Sequence, residues 1–168
     1  MELNGFGYEE RIVARSDDLV LPQHKMDIEE GEFYLISDTA IEYIYIPKQI
    51  EIHAPSEHTI DGEHFDLELQ MLHYYKGTDE MLGAIISIFF DTENGSNALN
   101  VDEKDKDANN FLNELFEVID KGRGEINLEE FLQYVNFKEF WTYKGSLTRP
   151  PCQEGINWVI IKAAQSLS

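Results

Sequence analysis

Cysteine is almost missing from this 168-residue chain, with Cys152 standing alone. An internal disulfide is therefore excluded, and with it the disulfide-stapled class of small secreted domains. The lone thiol is expected to be free and half-buried, and it leans the chain toward a reducing, intracellular compartment. Cationic side chains are also scarce: 13 Lys plus Arg face 33 Asp plus Glu, for a formal net charge of -20. Nucleic acid and anionic lipid surfaces are bound through cations, so neither is expected as a partner. No apolar run approaches the ~20 residues that a bilayer span needs, and no membrane insertion is expected. Met1 runs straight into Glu2, Leu3, Asn4 and Gly5, so no signal peptide is expected. Hydrophobic residues make up 42% and aromatics 12%, which argues for a packed core and against disorder. The length suits one domain over residues 1–168.

The most informative stretch is residues 49–73, QIEIHAPSEHTIDGEHFDLELQMLH. Residues 49–53 alternate as a strand, with Ile50 and Ile52 on one face and Glu51 and His53 on the other. Asp61-Gly62 is a strong hairpin turn signal. A second strand then returns through residues 67–72. Leu67, Leu69 and Met71 share one face, and Glu68, Gln70 and Leu72 the other. If the two strands pair, Glu51, His53, Glu68 and Gln70 converge on one polar pocket. Such residues need mutual partners, because burying them unpaired is costly.

Elsewhere, short strands are expected at residues 11–14, 19–21, 32–36 and 41–46. Residues 83–90 (GAIISIFF) read as a buried central strand. Residues 91–107 read as a solvated acidic loop, and residues 111–119 carry apolar groups at helical spacing. The stretch from Ile119 to Phe131 superficially resembles a calcium-binding loop after a helix. Aligning Gly124 with that loop's glycine puts Ile119, Lys121 and Arg123 at the first three ligand positions. Calcium needs oxygen ligands there, so no calcium binding is expected.

APSEHTIDGEHFDLELQMLH resembles the central motif of the α-class carbonic anhydrases. FWTYKGSLTRPPC, followed by Glu154 and Trp158, is similar to that family's YWTYxGSLTTPPC-x-E-x-x-x-W segment. The resemblance is close over residues 45–168 and loose over residues 1–44. It implies a mainly β (α+β) fold, a twisted and mostly antiparallel sheet with a few short helices. It further implies additional segments at both ends and a strand edge left open near residues 159–167.

The resemblance also implies a site. The family holds zinc on three histidines, two on the first strand and one on the second. An open fourth position there lowers the pKa of bound water to about 7. The matching positions are Glu51, His53 and Gln70, so two of the three histidines are replaced. Glu57 and Thr148 match the pair that orients the zinc-bound hydroxide, and here they are expected to bond to each other and tie two segments together. Glu68 matches the acid that steers the third ligand. Arg149 stands where a second threonine is usual. Tyr8 stands where an early proton-shuttle histidine would be, and tyrosine titrates near 10. Glu51 and His53 are expected to pair with each other in place of metal. No catalytic residue, cofactor or metal is expected. The function implied is that of a catalytically inactive carbonic-anhydrase-like protein, a structural or protein-interaction subunit of a larger assembly. The alternative is an active carbonate dehydratase with an unusual metal site built on Glu51 and His53.

Overall fold

A computed structural model describes residues 3–5, 8–9, 13–16, 24–28, 32–37, 42–78, 82–92, 103–121 and 124–166. Side chains are described for residues 44–78, 82–92, 109–121 and 125–166. The elements run β1 (Leu3–Gly5), β2 (Tyr8–Glu9), β3 (Val13–Ser16), β4 (His24–Ile28), β5 (Glu32–Ser37), β6 (Glu42–His53), β7 (Thr59–Ile60), β8 (Glu63–His64), β9 (Leu67–Tyr75) and β10 (Leu82–Asp91). Then follow α1 (Glu103–Lys121), β11 (Gly124–Asn127), α2 (Leu128–Leu132), β12 (Phe140–Ser146), β13 (Glu154–Ile161) and β14 (Gln165–Ser166).

Twelve strands form one sheet, whose main path is β11-β3-β4-β6-β9-β10-β13-β12. Strand β5 also pairs with β6, and carries β1 and β2. All pairings in this sheet are antiparallel except those of β10 with β13 and β14. Strand β10 is buried along its whole length, which fits its near-continuous apolar run and its place at the centre.

Alternation along the central strands builds two cores. On one face, Leu69, Met71, Ile86, Ile88, Val159 and Ile161 pack with Phe111, Leu115 and Phe131 from the two helices. On the other, Leu72, Ile85, Phe89, Ile156, Trp158 and Ile160 form a second cluster. Trp158 is 1% exposed, and its indole N–H donates to the Ser146 carbonyl at 3.1 Å. Burying 150–250 Å² of such a ring is worth roughly 4–6 kcal/mol. A Cβ on Gly83 would come within 2.5 Å of the Tyr75 ring and 2.6 Å of the Tyr45 ring. Close ring packing therefore requires glycine there.

Several expectations are corrected. The stretches at 41–46 and 49–53 are one twelve-residue strand, β6, because a register shift between Pro47 and Gln49 absorbs the proline. The Asp61-Gly62 turn does not itself join the two long strands. It closes the small β7–β8 hairpin, with both residues at positive φ (54° and 87°). Helix α1 begins at Glu103, eight residues before its apolar stripe. Glu103, Lys104 and Lys106 are good helix formers, and acids near the N-terminus suit the helix dipole. Asp91, expected in a solvated loop, is buried at the end of β10. Strand β4 was not anticipated, although Met26 and Ile28 alternate with Lys25 and Asp27 along it. Strand β13, expected to leave an open edge, lies inside the sheet between β10 and β12. Cys152 is exposed, not half-buried. The strand expected at 19–21 lies outside the described residues.

Candidate active site remnant

The register of β6 with β9 sets Glu51 opposite Gln70 and His53 opposite Glu68. All four belong to the sheet face away from the helices, because their neighbours Ile50, Leu69 and Met71 pack on the helix side. The polar cluster expected from alternation is therefore assembled by the fold.

Its deepest member is Glu68, 0% exposed. One carboxylate oxygen accepts the backbone N–H groups of Glu57 and His58, at 2.9 and 3.0 Å. The other accepts Ser87 Oγ at 2.6 Å, His58 Nδ1 at 2.7 Å and Gln70 Nε2 at 3.0 Å. A carboxylate only accepts, so His58 carries a proton on Nδ1, and its Nε2 is hydrogen-bonded with the Tyr143 hydroxyl at 2.7 Å. Burial pushes the Glu68 carboxyl upward, but the His58 hydrogen bond and charge, with the Ser87 hydroxyl, win and hold it at about 2. The Tyr143 phenol is pushed up to about 12, first by burial and then by the charges of Glu68 and Glu57.

The three positions that match zinc ligands are engaged differently. Arg149 Nη2 donates to Glu51 Oε1, forming an ion pair in which the Glu51 side chain is 7% exposed. Glu51 thus turns to Arg149. His53 Nε2 lies 3.9 Å from Glu51 Oε2, within ion-pair reach though beyond hydrogen-bond distance, so the expected Glu51–His53 pairing is present as a longer contact beside the Arg149 bond. Gln70 Nε2 is committed to Glu57 Oε2 at 3.0 Å as well as to Glu68. The expected Glu57–Thr148 bond is absent among the described contacts. Thr148 is exposed, and Glu57 instead receives Gln70 and stands 3.6 Å from His53 Nδ1. His53 Nε2 is buried with no hydrogen-bond partner. A cavity of about 490 Å³ opens beside His53 and Glu57, against Leu67 and Phe116 of α1. The Tyr8 side chain lies outside the described residues.

His58, Ser87 and Tyr143 were missed from sequence, although signals existed. Ser87 interrupts an otherwise apolar run, His58 follows Glu57 directly, and Tyr143 alternates with Trp141. What could not be read locally is that the loop after β6 and strands β10 and β12 bring His58 and Ser87 to one carboxylate and Tyr143 to His58.

The family model for eukaryotic-type carbonic anhydrase matches residues 22–168. The chain belongs to this family. Dioscorin DB3L of Dioscorea polystachya is 31% identical over 138 residues, covering 79% of this chain and 47% of that protein. Alpha carbonic anhydrase 4 of Arabidopsis thaliana is 31% identical over 149 residues, covering 86% of this chain and 45% of that protein. Among solved structures, the Photobacterium profundum alpha-carbonic anhydrase superposes with a TM-score of 0.67 at 22% identity, covering 100% of this chain and 70% of that one. A dioscorin complexed with ascorbate gives 0.62 at 24% identity, covering 99% of this chain and 64% of that one. These structures show the carbonic anhydrase fold, mostly strand with few helices. The chain spans less than half the length of these curated relatives.

The residues present do not fit the zinc that a three-histidine carbonic anhydrase site would hold. One imidazole remains. Its two companions are a carboxylate neutralised by a guanidinium and an amide whose nitrogen is held by two carboxylates. Zinc requires deprotonated or neutral donors converging on one point. An amide is a weak donor, and an ion-paired carboxylate would first have to release Arg149.

Proposed function

We propose that this chain is a catalytically inactive member of the carbonic anhydrase family, retained as a structural or protein-binding subunit of a larger assembly. The observation that carries this reading is the ion pair of Arg149 with Glu51, at one of the positions from which zinc would be held. A cation sits there already, supplied by the chain itself. The Glu68 network that would steer a third ligand now holds an amide, and so serves stability. With no metal-bound hydroxide to generate, function passes to the surface. A formal charge of -20 favours a partner protein with basic character.

A second reading, an active carbonate dehydratase with an unusual metal site, is favoured by one feature. His53 Nε2 is buried without a hydrogen-bond partner, as a ligand atom stripped of its metal would be. Elemental analysis of the native protein, with stopped-flow hydration of carbon dioxide, separates the two. The inactive reading expects zinc far below one per chain and hydration at the uncatalysed rate. One zinc per chain, with chelator-sensitive hydration, would overturn it.

A further inference from the structure

Tyr143 and His58 meet side chain to side chain, with the phenol hydroxyl 2.7 Å from His58 Nε2. Both groups are held from behind. Glu68 bonds His58 twice, through ring Nδ1 at 2.7 Å and through the backbone N–H at 3.0 Å, which fixes where Nε2 points. The Tyr143 ring lies against Gly145, where a Cβ would come within 2.7 Å of Tyr143 Cε2. It is parallel to the Trp158 ring within 4°, the centroids 6.0 Å apart. We propose that Tyr143 is a redox-active tyrosine: an outer-sphere one-electron oxidant takes an electron from its phenol while the phenolic proton passes to His58 Nε2. This goes beyond the inactive reading and does not depend on it.

The step balances within the site and its oxidant. The Tyr143 O–H bond breaks and an Nε2–H bond forms on His58. One electron leaves to the oxidant, which is reduced by one unit. A neutral phenoxyl radical and an imidazolium remain. Return of one electron sends the proton back. Proton transfer needs donor and acceptor within about 2.6–3.2 Å, and the Tyr143–His58 contact meets that requirement. The Nδ1 proton is committed to Glu68, a carboxylate that only accepts. In the neutral ring, Nε2 is therefore the lone pair that receives the phenolic proton. The electron leaves by tunnelling, so the step needs no open surface at Tyr143.

Electrostatics favour this step over plain ionisation. Burial first, and then the charges of Glu68 and Glu57, push the Tyr143 phenol up to about 12, because each opposes a phenolate. Losing an electron together with the proton puts no negative charge on Tyr143. It leaves a single positive charge on His58, 2.7 Å from a Glu68 oxygen. Glu68 is fully buried, where opposite charges attract more strongly than in water. The chain's net charge of -20 also favours an added cation. The rings packed on the imidazole bring no cation to oppose it: Trp158 and Phe89 stand 4.7 and 6.4 Å from it, centroid to centroid.

Flash oxidation of the full chain tests this. Photo-oxidised ruthenium tris-bipyridyl, with a sacrificial electron acceptor, serves as the oxidant at about pH 8. Transient absorption and electron paramagnetic resonance read the radical. The expected result is a fast tyrosyl phase that slows in deuterated water. Tyr143→Phe keeps the ring and should remove that phase. In His58→Gln the amide can hydrogen-bond but cannot take the proton, so the phase should slow about tenfold or more and lose its isotope effect. If His58→Gln fails to fold, the isotope effect in the unmodified chain and the loss in Tyr143→Phe decide the matter. A fast phase that survives Tyr143→Phe, an equal rate in His58→Gln, a rate indifferent to deuterium, or no fast tyrosyl phase at all would overturn the proposal. None of these outcomes bears on zinc content.

Discussion

Replacing Glu68 by glutamine isolates the energetic centre of the polar cluster. The native carboxyl is held at about 2 against an ordinary value of 4.5. The difference, about 2.5 units at about 1.4 kcal/mol each, corresponds to roughly 3 kcal/mol of folding stability. Because the folded value lies below the unfolded one, that contribution is full above about pH 4.5. It drains away as pH falls toward 2. The amide of Glu68→Gln has nearly the same shape but cannot ionise, and it carries a donor at one end. The backbone N–H groups of Glu57 and His58 cannot turn, so the amide oxygen must stay with them. Its NH₂ then faces Ser87, His58 and Gln70. Ser87 can rotate and His58 can change tautomer, but Gln70 must surrender a bond to Glu57 or Glu68. Urea unfolding followed by tryptophan fluorescence, from pH 7 to pH 2, should show Glu68→Gln about 3 kcal/mol less stable at pH 7. The two proteins should converge in acid. Other acid-sensitive groups are common to both and cancel in the difference. A constant offset across the whole range, or an offset under about 1 kcal/mol at pH 7, would refute the reasoning.

Three further outcomes are expected. The double change Glu51→His and Gln70→His should create a zinc site of about micromolar affinity or better, read by chelator competition; a folded double mutant that takes up no zinc would mean the strands do not present these positions as a zinc site requires. His73 is fully buried, and burial pushes its imidazole down to about 3 despite the hydrogen bond it donates to the Met71 carbonyl. Its folded value lies below the unfolded value of 6.5, so stability should fall as pH drops from about 6.5 toward 3, and the His73 ring should stay neutral by NMR at pH 5. Arg149→Ala should cost about 2–3 kcal/mol at pH 7 by stranding the Glu51 charge, and adding Glu51→Gln should restore most of the loss in a double-mutant cycle.

Local pattern carried a large part of this protein. Period-two alternation placed Glu51 and His53 together, and Glu68 and Gln70 together, on faces opposite to Ile50, Leu69 and Met71, because strand side chains alternate whatever the fold around them. The buried run at 83–90, the apolar stripe of α1 and the Asp61-Gly62 turn were legible for the same reason: each is fixed by neighbours within a few residues. The motif residues were enough to name the family.

What each group bonds to was decided only by tertiary structure. Glu51 bonds to Arg149, 98 residues away, while His53, two residues away, stays at the longer 3.9 Å ion-pair distance. Glu57 takes the Gln70 amide at 3.0 Å in place of Thr148, which is exposed. Glu68 collects Ser87, His58 and, through His58, Tyr143 from three further segments. Strand β13, expected at a sheet edge, lies between β10 and β12. Strand order depends on which edges are covered by segments distant in sequence, and no local pattern encodes it.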